Sequence, residues 1–363
     1  MLRSVRRLSI LLALVAAVLA IAPAAAQARA PRGFIGITSE DVLQGDANYR
    51  TSNLSAQRAS GVKLIRQTFK WRDIEYTPGF YILDPYDAYV AKLAAHGIRV
   101  LPVLFDSPTF HNGTTKTRPA FPPKSNSSMA RFAQALVRRY GPRGTLWQQH
   151  PEIPKVPITA WQIWNEPNLP IYWRGRANAR SYARMVKTVG GAIRKVDRRA
   201  EIVSAGLPPS TQRGAVRLTR YITQLYRARM GRSISSLAIN SYARNSRELG
   251  RLLKSIRKLI NRRGGRRDQI WITELGWATS GPRSRFNLGV RGQARQISSS
   301  YSLIRKQRRR LKLRGVVYFS WKDLPRYAPL YQNLWGLHAG LLNLDGTPKS
   351  GFNSFKRAVG RIR

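Results

Sequence analysis

A chain of 363 residues without cysteine cannot lean on disulfides, and it is long enough to bury a full core, so small stapled scaffolds are excluded. With 64 Lys and Arg against 17 Asp and Glu, the formal net charge is +47, a surface that attracts polyanions such as nucleic acid, acidic glycans or teichoic-type polymers. The basic residues fall in several helix-like stretches (RKVDRRAE, KSIRKLINRRGGRRD, RKQRRRLKLR) rather than in one tract, which places them on the outer faces of several helices.

At the N-terminus, Arg3, Arg6 and Arg7 precede the apolar run LSILLALVAAVLAIA, and small residues ending in Ala26-Gln27-Ala28 fit a cleavage site. The run is short for a membrane span, which needs ~20 residues. A signal peptide over residues 1–28 is expected, with a retained anchor as the alternative. Export to the outside or the cell envelope follows from it, and residues 29–363 form the mature domain. Without its three arginines the formal charge is +44.

From residue 33 onward short apolar runs alternate with amphipathic segments of helix length, the pattern of repeated βα units over a parallel sheet. Strands are predicted at 33–38, 62–67, 98–105, 158–164, 201–206, 237–242, 269–274 and 315–321. Helical periodicity fills the intervals, as in YDAYVAKLAAHG, SMARFAQALVRRYG, ARSYARMVKTVGGAIRKV and RELGRLLKSIRKLI. Eight such units predict a (β/α)8 TIM barrel as a single domain. The alternative, a doubly wound open sheet, lacks the Gly-rich phosphate fingerprint after its first strand. The two longest insertions, 106–125 and 321–352, follow strand carboxyl ends, where barrel enzymes build their sites.

Two lone carboxylates stand at such ends. Glu166 lies in AWQIWNEPNLP just past the fourth strand, and Glu274 lies in WITELGW at the end of the seventh. In an eight-stranded barrel both point into one mouth. A facing pair of carboxyls roughly 5 to 5.5 Å apart is what retaining cleavage of a glycosidic bond requires, one as proton donor and one as nucleophile. The charge of the second, together with burial, raises the pKa of the first and keeps it protonated.

NEP after the fourth strand and ITELGW at the seventh resemble the retaining glycoside hydrolases of clan A. The stretches VKLIRQTFKWRDIEYTPGFYILDPYDAYVAKLAAHGIRVLPVLFDSP and GLLNLDGTPKSGFNSF are similar to its cellulase-like family 5 and to family 39 members. The resemblance implies Glu166 as general acid/base and Glu274 as nucleophile. It further implies Asn165 on a sugar 2-hydroxyl, Arg66 beside the nucleophile, and Tyr242 as its hydrogen-bond donor. One departure stands beside Tyr242: many relatives carry histidine two residues earlier, where this chain has Asn240.

Trp321, ending the eighth strand, fits a platform for stacking a sugar ring, and Trp164, Trp173, Trp277, Tyr331 and Trp335 are further candidates for the walls, each with core packing as the alternative. Trp71 is expected to pack the loop after the second strand. The four histidines show no metal-ligand spacing; His111, in the long third loop, is a lesser candidate for touching substrate, and His96 is expected to end a helix. No GxSxG elbow is present either, and no metal or cofactor is called for. The expected function is a secreted retaining glycosidase acting on a β-linked polysaccharide or oligosaccharide, with electrostatic attraction to anionic polymers and no obligate protein partner. The alternatives are a noncatalytic carbohydrate-binding barrel and a basic polyanion-binding envelope protein.

Overall fold

The eight apolar runs become eight parallel strands: β1 (Ile35–Thr38), β2 (Leu64–Lys70), β3 (Arg99–Phe105), β4 (Ala160–Ile163), β5 (Glu201–Val203), β6 (Ser236–Asn240), β7 (Gln269–Leu275) and β8 (Leu313–Tyr318). Each pairs with its sequence neighbours, and β8 pairs with β1, so the sheet closes as a (β/α)8 barrel without an open edge. The computed structural model describes residues 30–115, 120–174, 176–325 and 333–362, of which Arg32–Ile362 form one compact unit. The expected signal peptide and Tyr331 lie outside the described residues.

Around the strands stand the long helices α1 (Ala47–Ala59), α2 (Asp84–Ala95), α3 (Asn126–Tyr140), α4 (Ala179–Val196), α5 (Leu218–Arg227), α6 (Ser246–Arg262), α7 (Gly289–Gln307) and α8 (Ser350–Ile362). In α4 the cause is plain in the residues. Tyr182, Val186, Val189 and Ile193 recur at helical spacing and are buried, while Arg180, Arg184 and Lys187 face water. Asn178 caps its first turn by accepting from the Ser181 N–H at 3.0 Å. Burying each of the three aliphatic side chains, Val186, Val189 and Ile193, is worth roughly 1.5–3 kcal/mol.

Inside the barrel, period-two alternation stacks side chains in layers. Leu64, Leu101, Val203, Ala238, Trp271 and Val317 form an apolar layer, with Ala160 packed against it. Gly315 leaves room for the Trp271 indole, because a Cβ there would lie 2.1 Å from the ring. Two residues further along β2, β4 and β6 the same inward face carries Arg66, Gln162 and Asn240. The interior therefore changes from apolar to polar toward the strand carboxyl ends.

β7 breaks the alternation. Ile272 pairs with Ile239, but the next partner of Asn240 is Glu274, so Thr273 is an extra residue in the ladder. A bulge of this kind re-aims the side chains beyond it. It brings both Thr273 and Glu274 to the mouth, where simple alternation would send one of them outward. The predicted strand at 201–206 ends at Val203, and the chain beyond it rejoins the sheet only through a bridge from Leu207 to Ile239.

Candidate active site

Arg66 is the hub of the mouth. It is 4% exposed, and its guanidinium donates through Nε to Gln162 Oε1 at 2.8 Å, through Nη1 to Glu274 Oε1 at 2.9 Å and through Nη2 to Asn165 Oδ1 at 3.0 Å. One side chain thus ties β2 to β4, to the turn after it, and to β7. These charge-assisted bonds are stronger than neutral ones. Because a guanidinium only donates, Asn165 must present its oxygen to Arg66. Its Nδ2 then has no protein partner among the described residues and is free to donate to a ligand hydroxyl.

Glu274 is ion-paired to Arg66 through one oxygen, and its other oxygen accepts the Tyr242 hydroxyl. Burial first, then the negative charges of Glu274 and Glu166, hold the Tyr242 phenol well above its usual pKa of 10.0, so it stays a donor.

Glu166 is presented by a sharp turn after β4, in which Trp164 and Glu166 adopt φ of 70° and 47°. Left-handed backbone at such residues costs of order 1–3 kcal/mol and persists only when held by its surroundings. Here the Glu166 N–H donates to the Gly206 carbonyl at 3.2 Å, and the Glu166 carbonyl accepts from Leu169 at 2.9 Å. On the side chain, Oε1 accepts Asn240 Nδ2 at 2.7 Å, while Oε2 has no protein partner among the described residues. Burial first, then the charge of Glu274, raises its pKa from 4.5 to about 8, against the opposing pull of Asn240 and Arg66. The two carboxyls therefore sit in opposite settings, one tied to a guanidinium and one holding its proton at neutral pH. A pair set apart in this way can offer one proton donor and one carboxylate to the same ligand.

An aromatic wall rises beside Tyr242. Trp335 meets it edge-on at 4.9 Å, Phe286 lies 6.0 Å from Tyr242 and 4.8 Å from Trp335, and Phe319 closes the group at 6.4 Å. Trp335, Phe286 and Phe319 are half-buried and leave surface for a ligand.

The structure thus brings Arg66, Asn165, Glu166, Tyr242 and Glu274 into one cluster. Trp321 is the correction. It is fully buried, donates from Nε1 to Asn53 Oδ1 on α1 at 2.9 Å and sets its ring against Phe352 of α8, so it offers no face to a sugar. Trp164, Trp173 and Trp277 are likewise buried and pack the loops, which leaves the half-buried Trp335 as the described tryptophan of the expected wall with surface to offer. Trp71 is buried against Phe132 at 5.1 Å, as expected of a loop anchor. His111 reaches the buried Glu75 at 3.1 Å and lies against Trp71, and His96 bonds the end of α2 through Lys92 O at 2.8 Å.

Sequence reasoning missed Gln162, Thr273, Phe286 and Phe319. It also noted Asn240 only as a departure, without the hydrogen bond to Glu166. The amides lie on inward strand positions, a signal available from alternation. Phe286 carries none, since it arrives from a loop.

Neither a protein-family model nor a curated protein matches this sequence. Solved structures do. A family 39 glycoside hydrolase from Bacteroides cellulosilyticus WH2 superposes with a TM-score of 0.64 at 20% identity, over 92% of this chain and 64% of that one. An exo-β-1,4-mannosidase from Opitutaceae bacterium strain TAV5 gives 0.63 at 18% identity, over 90% and 59%. Xylanase 10B from Thermotoga petrophila RKU-1 gives 0.61 at 13% identity, over 92% and 95%. The chain spans less than two thirds of the first two enzymes, and what it shares with all three is the barrel fold.

Proposed function

We propose that this protein is a retaining glycoside hydrolase that cleaves a β-linked polysaccharide or oligosaccharide by double displacement. Glu166 serves as acid/base and Glu274 as nucleophile. The observation that carries this reading is the contrast between the two carboxyls, Glu274 bound to Arg66 and Tyr242, and Glu166 raised to about 8 with one oxygen unpartnered. In the first step Glu274 bonds the anomeric carbon while Glu166 protonates the departing oxygen. In the second, a water oxygen bonds the anomeric carbon as Glu166 takes its proton, and the glycosyl–Glu274 bond breaks. Asn165 Nδ2 is positioned to donate to the sugar 2-hydroxyl. Exposed Tyr76, Phe80, Phe110, Ile171 and Leu334 sit in connections at the same end of the barrel, supplying apolar surface for further sugar faces.

The family 39 enzyme, the exo-mannosidase and the xylanase support a carbohydrate substrate through their shared fold, and the same barrel serves many linkages. An exported protein, freed of residues 1–28, meets such polymers outside the cell. No cofactor and no obligate protein partner enter this scheme.

The test is turnover of aryl β-glycosides by wild type and by Glu274→Ala, with the anomeric configuration of the first product followed by NMR. Retention in the wild type and abolished turnover in the folded variant are expected. Inverted product, or full activity in Glu274→Ala, would sink the assignment.

A second element of the reading concerns charge, which is segregated along the chain. Residues 33–110, covering β1 to β3, hold 8 acids and 8 bases, whereas residues 111–363 hold 9 acids and 51 bases. The five-strand side of the barrel thus carries nearly the whole excess, and it is this side that would hold an anionic polymer near the mouth. Retention on a uronate-bearing polysaccharide that weakens steeply with salt is expected. Salt-independent retention would remove this element and leave the hydrolase reading standing.

A further inference from the structure

Asn240 ends β6 with no exposed surface, and both ends of its amide are committed. Nδ2 donates to Glu166 Oε1 at 2.7 Å, and Oδ1 accepts the Thr273 hydroxyl at 2.9 Å. Two features make the arrangement possible. The bulge in β7 supplies Thr273 as the extra residue beside Glu274. Gly206 supplies the space, because a Cβ there would lie 2.1 Å from Asn240 Oδ1 and 2.6 Å from Thr273 Oγ1.

A side-chain amide turned by 180° exchanges donor for acceptor. Turned over, Asn240 would offer an oxygen to Glu166 and would draw a carboxyl proton onto Oε1. The Thr273 hydroxyl opposes that state. In it, the hydroxyl would accept from Nδ2, and its own proton would find no other acceptor among the described residues. In the observed state the hydroxyl proton is used, and an N–H already occupies Oε1, so a carboxyl proton is left only Oε2.

We propose that Asn240, locked by Thr273, is a positioning residue that confines the transferable proton of Glu166 to Oε2, the oxygen without a protein partner. The proposal rests on the reading of Glu166 as the acid. As the glycosidic C–O bond breaks, its electron pair stays on the departing oxygen, which takes the proton from Oε2, while a Glu274 oxygen bonds the anomeric carbon. Glu166 is left as a carboxylate still held on Oε1 by Asn240, and in the second step a water oxygen bonds the anomeric carbon, its proton returns to Oε2 and the bond to Glu274 breaks. The other groups facing Glu166 are Glu274 on β7, Arg66 on β2 and Tyr242 beyond β6. Asn240 does not titrate, so the donor on Oε1 is present at every pH.

The test compares kcat/KM for phenyl and 2,4-dinitrophenyl β-glycosides, because the second leaving group departs without protonation. Thr273→Val should lose roughly tenfold on the phenyl substrate, a fraction of the 10²–10⁴ that general acid catalysis contributes, and less than about twofold on the dinitrophenyl one. Thr273→Ser should restore the wild-type ratio. Asn240→Leu should move the alkaline limb of the phenyl profile to higher pH, since the bond it removes favours the ionised carboxyl. The same rise should appear in the Glu166 titration followed by carbon NMR in glutamate-labelled protein, without any substrate. Equal losses on both substrates, or an unmoved titration, would overturn the proposal. Glu166→Ala separates the two levels. If it spares the dinitrophenyl substrate alone, the acid assignment stands and Thr273→Val judges the lock; if it does not, the acid assignment itself fails.

Discussion

The barrel holds carboxylates at both ends, and they are treated differently. At the closed end, Glu201 at the start of β5 accepts from Ser236 Oγ and Trp271 Nε1 at 2.8 Å each on one oxygen and from Arg314 Nε at 3.0 Å on the other. Arg314 in turn lies 5.4 Å over the Trp271 ring. Each oxygen has a donor, and the group closes the floor beneath the apolar layer. At the mouth, Glu274 also has a donor on each oxygen, yet Glu166 beside it has one on Oε1 alone. A structural carboxylate is satisfied by its own protein. Glu274 shares that satisfaction, and of the three only Glu166 keeps an oxygen, Oε2, without a protein partner among the described residues.

Substitutions at the two ends should separate these roles. Arg66→Met leaves Glu274 buried without its ion-pair partner, and removal of one member of such a pair costs about 3–5 kcal/mol. A denaturant midpoint lowered accordingly, together with collapsed turnover, is expected. Loss of turnover at unchanged stability would mean that water reaches Glu274 in the folded protein and takes over from the guanidinium.

The open oxygen at Glu166 has a signature in pH. Its pKa is raised on folding from 4.5 to about 8, so between those values the folded state holds a proton that the unfolded state has released. Its contribution to stability is therefore fully present below about 4.5 and is lost as pH rises through about 8. Glu166→Gln cannot lose that proton. Its unfolding free energy relative to wild type should climb across this window, while the alkaline limb of wild-type activity falls near pH 8. A constant difference between the two proteins from about pH 5 to about pH 9 would show that folding does not raise the Glu166 pKa.

Glu201→Gln should do the converse. It leaves Arg314 without its carboxylate and is expected to cost about 1–3 kcal/mol of stability while kcat stays within about twofold of wild type. A large catalytic loss at the closed end would erase the distinction between the two ends.

Much of this was legible in the residues, for reasons that differ by element. The strands could be read because apolar runs buried on both faces stand out against amphipathic helices, and Glu166 and Glu274 could be placed because strand ends in a barrel converge; Arg66 came from the family resemblance, and it lies within β2, which runs on to Lys70 rather than ending near residue 67. The bulge at Thr273 could not be read. An extra residue in a ladder leaves the composition of β7 unchanged and shows itself only in pairing with β6 and β8. Nor could the role of Asn240, whose amide looks like any polar strand end until Gly206 and Thr273 are beside it. The aromatic wall failed for a related reason. Phe286 and Trp335 come from loops far apart in sequence, and a tryptophan at a strand end does not declare which way it faces.

Trp321 gives the smallest and sharpest separation, because it and Trp335 are both tryptophans near the mouth and only one has surface to offer. Trp321→Phe keeps the ring against Phe352 and loses the bond to Asn53 Oδ1, in a half-buried place where water can replace the donor. About 1 kcal/mol of stability should go, with KM unchanged. Trp335→Ala removes a half-buried ring that packs edge-on to Tyr242, so KM for oligosaccharides should rise while stability changes little, since less apolar area is uncovered. The reverse pattern, with KM sensitive to Trp321 and not to Trp335, would return the sugar platform to the end of β8 and require that Trp321 turn inward when substrate binds.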